Sequence, residues 1–183
     1  MRLGGPVFVD NSDPEVFTLA HKEKGYSAAY CPSGLQAGQA GEIRRFAEAM
    51  VKHDIVVSEV GAWCNPLSVD EKTSGEAVNH IIERLALADE LGASVCVNII
   101  GSRHESLWCG ASADNFSQDF FDRAVDVYRK IIDSVKPTRT KMTFEIFPFT
   151  FLDGAEEYLR FLKALDREAA AVHFDPANCI NCL

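Results

Sequence analysis

Short runs of β-branched and apolar residues alternate along this chain with longer segments of helical period, and no composition break or Pro/Gly/Ser-rich linker interrupts them. Such an alternation specifies strand-helix-strand units in which helices cover a parallel sheet through crossover connections. Six runs read as strands: residues 3–9, 27–31, 55–60, 94–100, 142–147 and 170–174. Five helices separate them, and a single domain over residues 1–183 is expected.

The helix boundaries carry their own signals. Asp13 is placed to cap a helix that has Pro14 at its first position, and Gly25 stands where a left-handed residue closes it. Ile43, Phe46, Ala47, Met50 and Val51 form the apolar stripe of the second helix; Val78, Ile81, Ile82, Leu85, Ala88 and Leu91 form that of the third, which Gly92 ends. Ser117 caps the fourth, whose stripe runs from Phe121 to Val135 and stops before Pro137; Tyr158, Leu159, Leu162 and Leu165 mark the fifth.

Alternate residues of the last three strands differ in character. Val95, Val97 and Ile99 oppose Ser94, Cys96 and Asn98; Phe144 and Ile146 oppose Thr143 and Glu145; Val172 and Phe174 oppose Ala171, His173 and Asp175. A bulky face toward the helices and a smaller, more polar face toward a narrow interior is the pattern of a barrel, with its chemistry at the C-terminal ends of the strands. An open doubly wound sheet would gather ligands at the same edge, yet no glycine-rich phosphate loop follows any strand. The expected fold is therefore α/β, a (βα) TIM-type barrel.

Charge and cysteine usage narrow the partners. The 27 acidic residues against 18 Lys and Arg leave a net charge of -9, which argues against a phosphate-binding surface for nucleic acid. No apolar stretch approaches the roughly 20 residues of a membrane span, and residues 1–10 do not read as a signal peptide, so a cytoplasmic protein with free thiols and no membrane partner is expected. Cys179 and Cys182 form a lone C-x-x-C without the second pair that a zinc site needs.

Glu145 sits among Phe144, Ile146, Phe147, Pro148 and Phe149, where an unpaired carboxylate would cost several kcal/mol. It reads as a structural ion-pair partner or as a metal ligand or general base. Asp175 repeats the position one strand later, and two such acids suit a hard divalent cation. Glu59 is a candidate polyol-binding group or a loop anchor, and Asn98 is expected to line the same cavity. His173 points inward with Asp175 but one layer deeper, which favours a histidine bonded to a neighbouring strand over a ligand. Arg103 and His104 meet a substrate phosphate or face water, while Trp63 and Trp108 wall a sugar pocket or pack as lids.

The segments Ser58 through Ser68, Leu87-Ala88-Asp89-Glu90-Leu91-Gly92-Ala93, Asn98 through Arg103, Phe144-Glu145 and His173-Phe174-Asp175-Pro176-Ala177-Asn178 together carry a resemblance. The chain resembles the sugar phosphate isomerase/epimerase group of xylose-isomerase-like barrels over essentially its whole length. The resemblance implies a divalent metal, Mn2+, Mg2+ or Co2+ ahead of Zn2+, held by a Glu of the fifth strand and an Asp of the sixth, which Glu145 and Asp175 match. It implies that Asn178, three residues past the Asp, binds substrate. The implied chemistry is proton removal beside a carbonyl of a sugar or sugar phosphate and its return through an enediolate, with Glu145 as one of two acid/base groups.

The family's further metal ligands, a His and a Glu on strands seven and eight, have no match before Leu183. The chain is thus expected to be a barrel truncated after its sixth strand, or equally a truncated reading of a longer gene; alone it is expected to show little turnover and either to be poorly stable or to pair with another copy through its open edges. Two alternatives stay open. One is a non-catalytic remnant with a sugar-binding or assembly role. The other is a relative of the abasic-site endonucleases, although the strand ends Tyr30-Cys31-Pro32 and Val60-Gly61-Ala62-Trp63 lack the histidines that enzyme uses.

Overall fold

The computed structural model describes residues 1–180. Five strands, β1 (Ala28–Tyr30), β2 (Val56–Gly61), β3 (Val95–Asn98), β4 (Lys141–Glu145) and β5 (Ala170–His173), form one parallel sheet in the order β1-β2-β3-β4-β5. Five α-helices accompany them: α1 (Pro14–Glu23), α2 (Ala40–Lys52), α3 (Glu71–Leu91), α4 (Gln118–Val135) and α5 (Ala155–Leu165). Among the described residues no helix is long and apolar enough to cross a membrane.

The expected first strand shrinks to a single bridge between Gly4 and Ala28, with the Ser27 and Ala28 N–H groups donating to the Leu3 carbonyl at 2.8 and 3.1 Å. Pro6 has no N–H for a ladder, and Phe8 stands 95% exposed, so nothing on this segment sustains a sheet edge.

The chain divides into two compact units. The first comprises Met1–Gly61, Glu83–Cys96 and Pro137–Lys141. Here Asp13 caps α1 by accepting from the Glu15 and Val16 N–H groups at 2.8 and 3.3 Å, and Gly25 closes it at φ +73°. Phe17 of α1 meets Phe46 of α2 edge-on, ring centres 6.1 Å apart. Helix α2 buries Ile43, Phe46, Ala49 and Met50, whereas Val51 is 81% exposed. The expected stripe followed 43-47-51 steps of four; the buried one also takes the step of three from Phe46 to Ala49, which turns Val51 outward. At the end of α3, the Asp89 carboxylate gathers three consecutive backbone N–H groups, those of Thr138, Arg139 and Thr140, at 2.7, 2.6 and 3.3 Å.

The second unit comprises Ala62–Ile82, Val97–Lys136 and the chain from Met142 onward. Ser117 caps α4 by accepting from the Phe120 N–H, and Lys136 takes the left-handed conformation just before Pro137. Phe144 of β4 lies between Tyr128 of α4 and Phe161 of α5, at 4.7 and 5.1 Å between ring centres, so this face of β4 looks at the helices as its alternation predicts. Arg129 of α4 ties down the end of α5 through the carbonyls of Ala164 and Leu165. Helix α5 buries Tyr158, Phe161 and Leu165, but Leu159, expected in that stripe, is 59% exposed. Phe161 takes its place because 158, 161 and 165 fit one face at 100° per residue. Val172 of β5 and Phe174 just after it carry the expected bulky face, and both stay exposed, at 43% and 68%.

Candidate functional site

Parallel pairing of β4 with β5 sets Glu145 directly across from His173. His173 Nδ1 stands 3.3 Å from Glu145 Oε2, the two side chains being 29% and 15% exposed. The other carboxylate oxygen, Oε1, accepts from Asn178 Nδ2 at 2.7 Å. A short turn explains how Asn178 gets there. Asp175 Oδ1 accepts from the Ala177 N–H at 2.9 Å, Pro176 starts a single 3-10 turn over Pro176–Cys179, and the turn carries Asn178 back to β4. Tyr158 completes the surroundings: its hydroxyl donates to the Phe144 carbonyl at 2.9 Å. Burial first, and then the negative charge of Glu145, push the Tyr158 phenol well above its usual range, so it stays protonated.

Glu145 is thus a largely buried carboxylate with a partner at each oxygen, at the C-terminal end of a strand. Asp175 is half-buried and uses one oxygen to hold its own turn. Among the described residues no three His, Cys, Asp or Glu side chains group so as to hold a metal ion. The described residues therefore do not make up a metal centre by themselves.

The other expected site residues fall elsewhere. Asn98 was expected to line the cavity, but it is fully buried. Its amide is engaged by the Cys64 backbone at 3.2 and 3.1 Å and by the Tyr128 hydroxyl at 3.2 Å, which leaves it as a clamp on the loop after β2. Arg103 directs its guanidinium to Asp119 at 3.2 Å, and His104 Nδ1 accepts from the Ser106 and Leu107 N–H groups within its own loop. Trp63 and Trp108 do come together. They wall one open hollow of ≈ 420 Å³ with Thr73, Glu76 and His80 of α3. His80 was not singled out in the sequence, where its spacing of four from Glu76 on an exposed helix face was the available signal. Glu59 is half-buried in the first unit, where its carbonyl accepts from the Cys31 N–H at 2.9 Å. Cys179 is exposed, and Cys182 lies outside the described residues.

The sequence matches the family model for xylose isomerase-like TIM barrels over residues 21–181. The chain belongs to that family. Solved structures agree on the fold of this xylose isomerase-like barrel chain. An L-ribulose 3-epimerase superposes with a TM-score of 0.67 at 17% identity, covering 94% of this chain and 60% of its own length. D-psicose 3-epimerase from Clostridium cellulolyticum H10, solved with D-tagatose, gives 0.66 at 15% identity, with 88% and 57% covered. A xylose isomerase-like TIM barrel protein from Mycobacterium smegmatis, solved in complex with magnesium, gives 0.58 at 13% identity, with 87% and 56% covered. The chain thus spans about 60% of the length of the first of these and slightly less of the others. No curated protein matches it.

Proposed function

We propose that the chain serves a sugar isomerase or epimerase reaction in which Glu145 moves a proton on the carbon beside a carbonyl. The observation that carries this is the held carboxylate: Glu145 is largely buried, ends a strand, and is fixed by Asn178 at 2.7 Å and His173 at 3.3 Å. A base so oriented loses little freedom on meeting a substrate. In the step itself, a Glu145 oxygen takes the proton from the carbon next to the carbonyl. The electron pair of the broken C–H bond moves into a C–C double bond, the carbonyl oxygen carries the negative charge, and Glu145 returns the proton. One carboxylate suffices for a shift between neighbouring carbons on one face, the proton returning to the former carbonyl carbon while the adjacent hydroxyl proton passes to the oxygen that carries the negative charge. Inversion needs a second acid on the opposite face, to which no residue of this chain is assigned.

Asp175 and Glu145 are the carboxylates this chain offers to a divalent cation such as the magnesium of the Mycobacterium smegmatis neighbour. Asn178 both fixes Glu145 and faces substrate. Sugars or sugar phosphates are the substrate class, as the epimerases among the structural neighbours suggest, and a single domain in a reducing, cytosolic compartment suits the free thiols.

A second reading, a barrel remnant without turnover, is favoured by the lack of a three-ligand group among the described residues. Deuterium exchange separates the two. The full chain, with and without Mg2+ or Mn2+, is incubated in D2O with a panel of ketoses, aldoses and their phosphates, and label beside the carbonyl is read by NMR. The proposal expects exchange that falls about 10²- to 10⁴-fold in Glu145→Gln. Absence of exchange under every condition, or exchange unchanged in Glu145→Gln, would favour the remnant.

A further inference from the structure

Both tryptophans of the chain stand on the wall of one hollow. They come from different loops, Trp63 after β2 and Trp108 after β3, and are 45% and 47% exposed. Folding normally buries most of an indole, so two half-exposed ones that converge on a common space need a reason other than packing.

Buried polar side chains hold these loops in place. Asn98 fixes both backbone groups of Cys64, next to Trp63, and the Cys64 thiol donates to the Ala77 carbonyl of α3 at 3.6 Å. Asn65 joins the two loops: its amide donates to the Ser102 carbonyl at 2.7 Å, and its oxygen accepts from the Ser102 N–H at 2.9 Å. Around Trp108, the Ser102 hydroxyl and the Asn115 amide both donate to the Gly110 carbonyl, at 2.6 and 3.1 Å. Asn65, Asn98, Ser102 and Asn115 are at most 5% exposed. The walls are thus set before any ligand arrives, which removes from them the ordering cost of binding.

The polar groups come from α3. Glu76 and His80 lie one turn apart on its exposed side and line the same hollow. His80 makes no hydrogen bond or ion pair among the described residues, and Glu76 has the Lys72 ammonium at 3.9 Å. The hollow therefore offers flat apolar faces, a carboxylate that accepts and an imidazole that donates or accepts. A pyranose ring has the matching chemistry, with C–H bonds on its flat face and hydroxyls around its rim. A purely apolar ligand would strip water from Glu76 and put nothing in its place. A cation would compete with the ammonium already beside that carboxylate, and the net charge of -9 opposes a phosphate.

We infer that this hollow binds a neutral sugar ring, with the indoles of Trp63 and Trp108 against its C–H faces and Glu76 and His80 hydrogen-bonded to its hydroxyls. Neither Glu145 nor His173 nor Asn178 lines it, so binding here does not rest on the chemistry proposed for Glu145.

Since the chain has no other tryptophan, indole fluorescence reports on this hollow alone. The full chain is titrated with the methyl glycosides of glucose, galactose, mannose and xylose, whose locked rings lack the carbonyl that the Glu145 reaction requires. Tetramethylammonium chloride and inorganic phosphate are titrated in parallel. A saturable change in emission is expected with at least one glycoside. Glu76→Ala and His80→Ala, both at exposed helix positions and checked for folding by circular dichroism, are each expected to raise the dissociation constant about 3- to 10-fold. In Trp63→Phe and in Trp108→Phe the remaining indole still responds. The inference is overturned by the lack of a saturable response to every glycoside, by a response unchanged in both α3 variants, by a silent indole in either single-tryptophan variant, or by saturation with tetramethylammonium or phosphate instead. Deuterium exchange without glycoside binding sinks this inference alone; glycoside binding without exchange sinks the isomerase reading alone.

Discussion

Asn98 holds Cys64 by both of its backbone groups, accepting from its N–H at 3.2 Å and donating to its carbonyl at 3.1 Å. Asn98 is fully buried and Cys64 half-buried, so the clamp fixes the start of the loop after β2 with little competition from water. Asn98→Ala strands these backbone groups and should lower stability by about 2–4 kcal/mol. Urea denaturation reads it, and a loss below about 1 kcal/mol would mean that the loop re-forms its bonds elsewhere.

Two glycines should respond with opposite sign. Gly101 sits at φ +118°, and a Cβ there would come within 2.8 Å of Asn65 Oδ1, the acceptor for the Leu67 and Ser102 N–H groups. Gly101→Ala is expected to cost roughly 1–3 kcal/mol. Gly75 lies inside α3 with nothing within 4 Å of its would-be Cβ, so Gly75→Ala should stabilise by about 1 kcal/mol. Equal shifts from both, measured by thermal denaturation, would contradict the backbone reading.

The thiols should differ in reactivity. Burial pushes the Cys64 thiol up to about 12, and burial also raises Cys31, partly countered by Arg84. At pH 8 only about one Cys64 in 10⁴ is thiolate. Exposed Cys179 is expected to take up iodoacetamide well before Cys31, Cys64 or buried Cys96 in a pulse read by mass spectrometry. Early labelling of Cys64 would show that its loop opens readily.

Arg167 holds Asp133 through two bonds of 2.6 and 2.7 Å, and this hydrogen bonding keeps the Asp133 carboxyl below its ordinary value. A depressed acid stabilises the folded chain above its unfolded pKa. The benefit fades as the pH drops below about 4 and is gone beneath the lowered folded value. Wild type should therefore exceed Asp133→Asn in denaturant midpoint near neutral pH and match it in acid. A gap that widens in acid would reverse the assignment.

Much of the frame was legible because it rests on local chemistry. Asp13 before Pro14, Ser117 before α4 and Pro137 after it each mark a boundary through groups within a few residues, and the alternation around Phe144 points it correctly at the helices. What escaped depends on partners distant in sequence. Leu159 looks like core in a helical pattern, yet it stands 59% exposed while Phe161 takes the buried position. Asn98 looks like a cavity residue by strand parity, and only the return of the loop at Cys64 engages its amide. In the candidate site, the acidic character of Glu145 could be read from its apolar neighbours, but its grip by Asn178 arises from a turn 33 residues later.

Asp89 and its three backbone donors also have a history in time. The first unit is assembled from three separated stretches, the last of them Pro137–Lys141. A ribosome adding about 5–20 residues per second makes Thr138 some 2–10 seconds after Asp89. During that interval the carboxylate is served by water alone. The N-terminal unit cannot finish folding before most of the second has been synthesised, so a nascent chain stalled before residue 137 should be a better chaperone client than its length suggests.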